Sequence, residues 1–406
     1  MKNKIIFILL LIIIITGCNF NEEKKEEEKK EPEETQKEDE EISDIDKKVE
    51  DTLSKMTLDE KIGQMIIVSY ASPNMDNTLK KALEEVQPGG FIIFADNIST
   101  YENTLKLIKE IKSYVKIPMF ISIDEEGGNI QRLAFLKDYQ ITDIPYMYDI
   151  GKINDEEHTY NVGKVIAEEL GVFGINMDFA PVIDVYSNPK NTVIGKRAFG
   201  TTSDIVSRHG LALAKGLEDN GVIAVYKHFP GHGNTAVDSH EALPIVNKTK
   251  EELMALDLIP FIDAINNNAS VIMIGHLAVP SITNDNTPAS LSKVLITDFL
   301  KGELHYNGLV ITDALNMKAL TNYYKDEEIC GKAVEAGVDI LLMPSASRKC
   351  LKSVQTAIKE GRVTEERINE SVRKILKIKY EKISANYDTY LPVETLNSEE
   401  HKEVIK

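Results

Sequence analysis

The residues able to do chemistry concentrate in Lys227-His228-Phe229-Pro230-Gly231-His232-Gly233-Asn234-Thr235-Ala236-Val237-Asp238-Ser239-His240. Three histidines, a lysine and a carboxylate follow the apolar run Val222-Ile223-Ala224-Val225-Tyr226 on a segment punctuated by glycine. Burying that much polarity without partners is costly, so the segment is expected to face a cleft. Asp238 and His240 are two apart, and in an extended segment such residues project to the same side. The carboxylate can then take the proton of one imidazole nitrogen and leave the other free for proton transfer. Such a pair is a general acid/base unit. It points to an enzyme.

Positioning these residues requires a scaffold, and the rest of the chain supplies an alternating pattern. Eight short apolar runs stand out: Ile62–Tyr70, Gly89–Ala95, Met119–Asp124, Gly174–Val185, Val222–His228, Ser270–His276, Gly308–Asp313 and Asp339–Pro344. Helix-period stretches lie between them at 77–86, 101–114, 203–219, 250–267 and 325–336, and Val162, Val165, Ile166 and Leu170 mark another, with Gly171 as its expected C-cap. Continuous apolar runs suit strands buried on both faces. The pattern predicts an α/β fold, a (β/α)8 barrel of TIM type forming a single catalytic domain. A doubly wound open sheet is the rival. It would want a glycine-rich turn after the first strand, where Val68-Ser69-Tyr70-Ala71-Ser72-Pro73 stands instead. Barrel active sites lie at the C-terminal ends of strands. Four runs end there in polar residues: Asp124, Lys227-His228, His276 and Asp313. The loops beyond add Arg132, Arg197, Asp238 and His240.

Asp313, in Val310-Ile311-Thr312-Asp313-Ala314-Leu315-Asn316-Met317, has two readings. It can cap a following helix. Alternatively, an ionised carboxylate facing a general acid is what glycoside cleavage with retention requires. His232, between two glycines, is expected to fix its loop by hydrogen bonds. His276 can either pack or line the pocket. Cys330 reads as a small buried residue. Lys227 and His228 are neighbours, so a regular strand would aim them to opposite faces. Bringing both to one site needs a bulge or an unusual peptide geometry.

The 227–240 segment, Asp124-Glu125-Glu126-Gly127-Gly128-Asn129-Ile130-Gln131-Arg132, Arg197-Ala198-Phe199-Gly200 and Ile311–Met317 together resemble glycoside hydrolase family 3, most of all its bacterial β-N-acetylglucosaminidases. The resemblance covers about residues 50–385. It implies Asp313 as nucleophile, His240 as acid/base and Asp238 as the group that orients His240. It also implies that Asp124, Arg132, Arg197, Lys227 and His228 bind a terminal N-acetylglucosamine, with no metal and no cofactor. Asn129 departs from the usual Arg and Glu125 from a frequent Gln. Many relatives carry a second α/β domain after the barrel. With only about twenty residues after position 385, that domain is expected to be absent here, leaving the acid/base to the barrel itself.

Composition narrows the alternatives. The net charge is −18 and the isoelectric point near 5.0, which argues against nucleic acid as a partner. Three cysteines, Cys18, Cys330 and Cys350, fit neither a disulfide framework nor a cysteine-rich zinc site. A sugar site would rely on hydrogen bonds plus Tyr or Phe, since Trp is absent. Lys2 and Lys4 precede the apolar residues Ile5 to Ile15 and then Thr16-Gly17-Cys18. Eleven helical residues span roughly 16 Å, about half of a bilayer core, so the stretch reads as a signal-peptide core. Ile15-Thr16-Gly17-Cys18 resembles the bacterial lipobox, which implies a lipidated Cys18, a membrane anchor and an extracytoplasmic location. Residues 21–50 carry fifteen Asp/Glu against seven Lys/Arg, and the stretch from 19 to about 46 has too few apolar residues to fold alone. The expected organisation is a signal peptide over 1–17, a lipidated cysteine and disordered acidic linker over 18–46, the catalytic domain over 47–385 and a tail over 386–406.

The predicted activity is exo-acting, retaining release of β-linked N-acetylglucosamine from small carbohydrates, with peptidoglycan fragments as the source. Alternatives on the same site are a phosphorylase, which a histidine acid/base would tolerate, a β-glucosidase, or an inactive wall-binding lipoprotein. A metal-dependent barrel hydrolase would usually place a His-x-His pair at the end of the first strand. Val68-Ser69-Tyr70 stands there instead.

Overall fold

The computed structural model describes residues 34–235, 239 and 241–406, with side chains from residue 44 onward. The expected signal peptide, Cys18 and most of the acidic linker lie outside the described residues. So do Asp238 and His240.

Each of the eight apolar runs contains a strand: β1 Ile66–Val68, β2 Gly90–Ile92, β3 Phe120–Ile123, β4 Met177–Asp178, β5 Ile223–Phe229, β6 Val271–Ile274, β7 Leu309–Thr312 and β8 Leu341–Leu342. All pair in parallel, in the order β8-β1-β2-β3-β4-β5-β6-β7. A parallel bridge between Ile311 and Ile340 links the two ends of that order. The result is a nearly closed eight-stranded parallel barrel of TIM type. Every residue of β1, β5, β6 and β7 is buried, as a barrel filled inside and covered outside demands.

The helices fall where the 3.6-residue period places them. Asn77–Val86 starts at Asp76, whose carboxylate accepts the N–H groups of Thr78 and Leu79, and it buries Leu79, Leu83 and Val86. Glu156–Gly171 and Ser203–Asp219 cross closely because both carry glycine at the contact. A Cβ on Gly163 would stand 2.4 Å from the Leu213 carbonyl oxygen, and one on Gly216 2.2 Å from that of Tyr160. Gly171 is not the C-cap. It is the last helical residue, and Val172 closes the helix in a right-handed conformation. The Gly171 carbonyl instead accepts the Leu391 N–H at 3.1 Å.

The helix Glu34–Lys55 runs through the expected linker boundary at 46/47. The segment expected as a tail packs on the domain. In the final helix, Glu399–Ile405, the buried His401 ring lies 2.8 Å from Glu168 Oε2 and 3.2 Å from Glu169 Oε1. Cys330 is buried as expected, but it is more than a small filler. It forms a disulfide with Cys350, joining the helices Asp326–Ala336 and Ser347–Lys359.

Candidate active site

A cavity of about 360 Å³ opens at the C-terminal ends of the strands, with Asp124, Arg132, Arg197, Lys227, His228 and Asp313 on its wall. These are the sequence-predicted site residues that the structure describes, and all six meet in one place. His276, which could pack or line the pocket, packs: it is fully buried, with Nδ1 2.8 Å from Ser290 Oγ and Nε2 2.9 Å from the Ala314 carbonyl.

The third strand delivers most of the polar wall. Asp124 follows β3 directly, and the chain then folds into a hairpin of Glu125–Gly127 and Ile130–Gln131. Gly127 and Gly128 make that reversal at φ of 87° and 56°, and a Cβ on Gly128 would meet the Tyr146 ring at 2.3 Å. The hairpin brings Glu126 to the floor and Arg132 to the rim. Lys227 Nζ lies 2.9 Å from Asp124 Oδ1 and 2.5 Å from Glu126 Oε1. Arg197 grips Glu126 in a fork, Nε to Oε2 at 2.7 Å and Nη2 to Oε1 at 2.8 Å. Arg132 sits over the Phe94 ring, 3.6 Å from Asp124 Oδ2.

Burial alone would raise the Glu126 carboxyl, but Arg197 and Lys227 hold it well below the usual range. For Lys227, burial works against the charged form and is outweighed by Asp124 and Glu126, so the ammonium is held above its ordinary value. The wall is therefore a fixed array of ionised groups able to hydrogen-bond a polyhydroxylated ligand. Glu126 has no assigned role in the sequence reading, although it lies within a quoted motif next to Asp124.

Lys227 and His228 lie near the end of β5, just before its last residue, Phe229. The peptide between them is cis, and the pairing of β5 with β6 shifts register between Tyr226 and Phe229. Both side chains line the cavity, so the local irregularity expected from their adjacency is present. His228 Nδ1 lies 2.7 Å from Asp184 Oδ2. His232 also reaches the cavity wall, and it fixes its loop as expected. Thr235 Oγ1 lies 2.6 Å from His232 Nδ1 and 3.0 Å from the His232 carbonyl, tying the ring and the backbone of this residue together. Burial lowers the His232 pKa and so favours the neutral ring.

Asp313 stands one residue past β7, partly buried on the cavity wall. The next helix is Lys318–Thr321, with Met317 at its N-cap position, so the capping role is not what Asp313 does. Its Oδ1 accepts the adjacent Ala314 N–H at 2.7 Å. Burial would raise this carboxyl, but His276, His228 and the Ala314 N–H hold it below its ordinary value. An ionised carboxylate thus shares a cavity with a fixed network of charged groups.

Residues 57–378 match the glycosyl hydrolase family 3 N-terminal domain. The beta-hexosaminidase A of Pseudoalteromonas piscicida is 31% identical over 352 residues, which cover 80% of this chain and 58% of that protein. This chain thus spans somewhat over half the length of that relative. A solved family 3 beta-N-acetylglucosaminidase from Paenibacillus sp. str. FPU-7 is 36% identical with a TM-score of 0.81, covering 86% of this chain and 68% of its own. The beta-glucoside phosphorylase BglX bound to 2FGlc superposes with a TM-score of 0.82 at 26% identity, covering 89% and 66%. The chain belongs to glycosyl hydrolase family 3.

Proposed function

We propose that this chain is a retaining exo-β-N-acetylglucosaminidase acting on terminal β-linked N-acetylglucosamine of small saccharides, with peptidoglycan fragments as its source. The observation that carries this reading is the placement of the ionised Asp313 in the same cavity as the Asp124–Lys227–Glu126–Arg197 network. The network holds the hydroxyls of one terminal ring, and Asp313 attacks its anomeric carbon. As the ester bond to Asp313 forms, the glycosidic bond breaks and the leaving oxygen takes a proton from His240, held by Asp238. His240 then takes a proton from water, the water oxygen attacks the anomeric carbon, and the ester opens to restore Asp313. Two inversions give net retention. The beta-hexosaminidase and beta-N-acetylglucosaminidase named above support the choice of sugar. The lipobox-like Ile15–Cys18 supports a lipid anchor outside the cytoplasm, and the Cys330–Cys350 bond suits an oxidising compartment.

A second reading is phosphorolysis, favoured by the structural likeness to a phosphorylase and by the absence of a carboxylate from the acid/base role. One experiment addresses both. Aryl β-N-acetylglucosaminide and aryl β-glucoside are assayed with and without phosphate, and products are examined for sugar 1-phosphate. Higher catalytic efficiency on the N-acetylglucosaminide, unchanged by phosphate, is expected. Preference for the glucoside would sink the sugar assignment, and phosphate-dependent sugar 1-phosphate would move the chain to the second reading.

A further inference from the structure

Asp184 is fully buried behind the sugar clamp, and nothing in the reaction sequence above uses it. Its Oδ2 lies 2.7 Å from His228 Nδ1 and accepts the His228 backbone N–H at 3.2 Å. Its Oδ1 accepts the His232 backbone N–H at 2.6 Å. Burial alone would raise this carboxyl, but His228 and His232 hold it below its ordinary value, so it is an acceptor only. An acceptor at Nδ1 fixes where the imidazole carries its proton. With Nδ1–H turned toward Asp184, Nε2 is the ring nitrogen left for the cavity that His228 lines.

We propose that Asp184 is a positioning residue for substrate binding: it locks His228 with Nδ1–H inward, so that Nε2 meets a hydroxyl of the terminal sugar ring. The same carboxylate holds the backbone at His232, eight residues before His240 in the chain. One buried group thus sets both the polarity of a sugar contact and the root of the segment carrying the acid/base pair. The inference rests on reading the cavity as the site of the terminal ring. The competing view is that Asp184 merely satisfies two backbone N–H groups.

Asp184→Asn separates the two. A carboxamide presents one acceptor and one NH2 group, while the site offers three donors. If its oxygen faces His232, its NH2 faces His228 Nδ1, and a neutral imidazole must move its proton to Nε2. If the amide is turned round, two donors oppose each other at His232. The probe is competitive inhibition of aryl-glycoside cleavage by free N-acetylglucosamine, in a double-mutant cycle of Asp184→Asn with His228→Ala. Asp184→Asn is expected to weaken inhibition by about tenfold in the wild-type background, the scale of one charge-assisted hydrogen bond. It should change inhibition little once His228 is Ala. Equal weakening in both backgrounds would show that Asp184 acts on the fold and not through His228, and would overturn the proposal. Should the variant not fold, nitrogen NMR of the wild type at alkaline pH decides alone: a protonated Nδ1 on the neutral His228 supports the proposal, and a protonated Nε2 overturns it. If glucose inhibits and N-acetylglucosamine does not, the sugar assignment fails separately. The cycle is then read with glucose by the same criterion.

Discussion

Asp313, the proposed nucleophile, is kept ionised by its neighbours. The imidazoles of His276 and His228 and the Ala314 N–H more than offset the effect of its burial, so the carboxylate is ionised throughout the neutral range. Asp313→Ala is expected to abolish turnover with the circular dichroism spectrum unchanged, and a fluorinated glycosyl reagent should label Asp313 in the active protein. A label on Glu126 would show that the floor carboxylate, not Asp313, is the nucleophile. For His240 the informative variable is the leaving group. In the proposed dyad, Asp238 would favour the charged imidazole of His240, which can protonate a poor leaving oxygen. His240→Ala should lose about 10²–10⁴-fold on a natural disaccharide, the usual worth of a general acid, and much less in the first step on a nitrophenyl glycoside. Asp238→Ala should follow the same pattern. Single-turnover rates make the comparison, and equal losses on both substrates would assign proton donation elsewhere.

At the scale of elements, the strands end in chemistry and the helices hold the ends in place. Asp339 begins the last strand run and is gripped at the opposite end of the barrel by Lys301, at 3.2 Å, and Arg367, at 2.9 Å. The two helices after β7 and β8 are further joined by Cys330–Cys350, which closes a separation of 20 residues. A loop of that size restricts the unfolded chain enough to contribute about 3 kcal/mol. Cys330→Ala/Cys350→Ala should therefore lower the unfolding free energy by about that amount in urea, with inhibition by N-acetylglucosamine unchanged because neither residue lines the cavity. An unchanged denaturation midpoint, with reductant or in the double variant, would show that helix packing alone holds this corner.

For the whole molecule, two buried carboxyls pull stability in opposite directions with pH. Burial pushes Glu125 up to about 8. The folded chain then holds a proton that the unfolded chain releases, so this contribution is complete below the ordinary carboxylate value and is lost as pH rises toward 8. Asp339 behaves oppositely. Burial would raise it, but Lys301 and Arg367 hold it below its ordinary value, so its contribution is present above that value and lost as pH falls below it. Stability should peak at mildly acidic pH. Glu125→Gln removes the charging cost and should gain on the order of 4 kcal/mol at pH 8 and almost nothing at pH 4, read from urea unfolding at both pH values. A gain of the same size at both would place the effect in packing. The proposed lipid anchor also belongs to this scale. Cys18→Ala should shift the protein from the detergent phase to the aqueous phase, and equal partitioning of the two forms would count against lipidation.

The sequence by itself determined the scaffold and the address of the site. Strands buried on both faces must be written as unbroken apolar runs, so all eight could be located, and the polar residues terminating them pointed to one end of the barrel. Asp124, Arg132, Arg197, Lys227, His228 and Asp313 were legible for that reason and through the family resemblance. What only the tertiary structure decided are the pairings between residues far apart in the chain. Asp184 lies inside an apolar run, where a carboxylate signals that a partner must exist but not that the partner is His228, 44 positions away. Glu126 gains its role from Arg197 and Lys227, 71 and 101 residues on. The Cys330–Cys350 bond depends on two helices meeting, which cysteine counting cannot reveal. The left-handed turn expected at Gly171 falls at Gly174, φ 65°, and the Gly171 carbonyl is shared by the N–H groups of Gly174 and of Leu391 from the far end of the chain. Local pattern is written in consecutive residues. Electrostatic and hydrogen-bond partners are chosen by how the barrel closes.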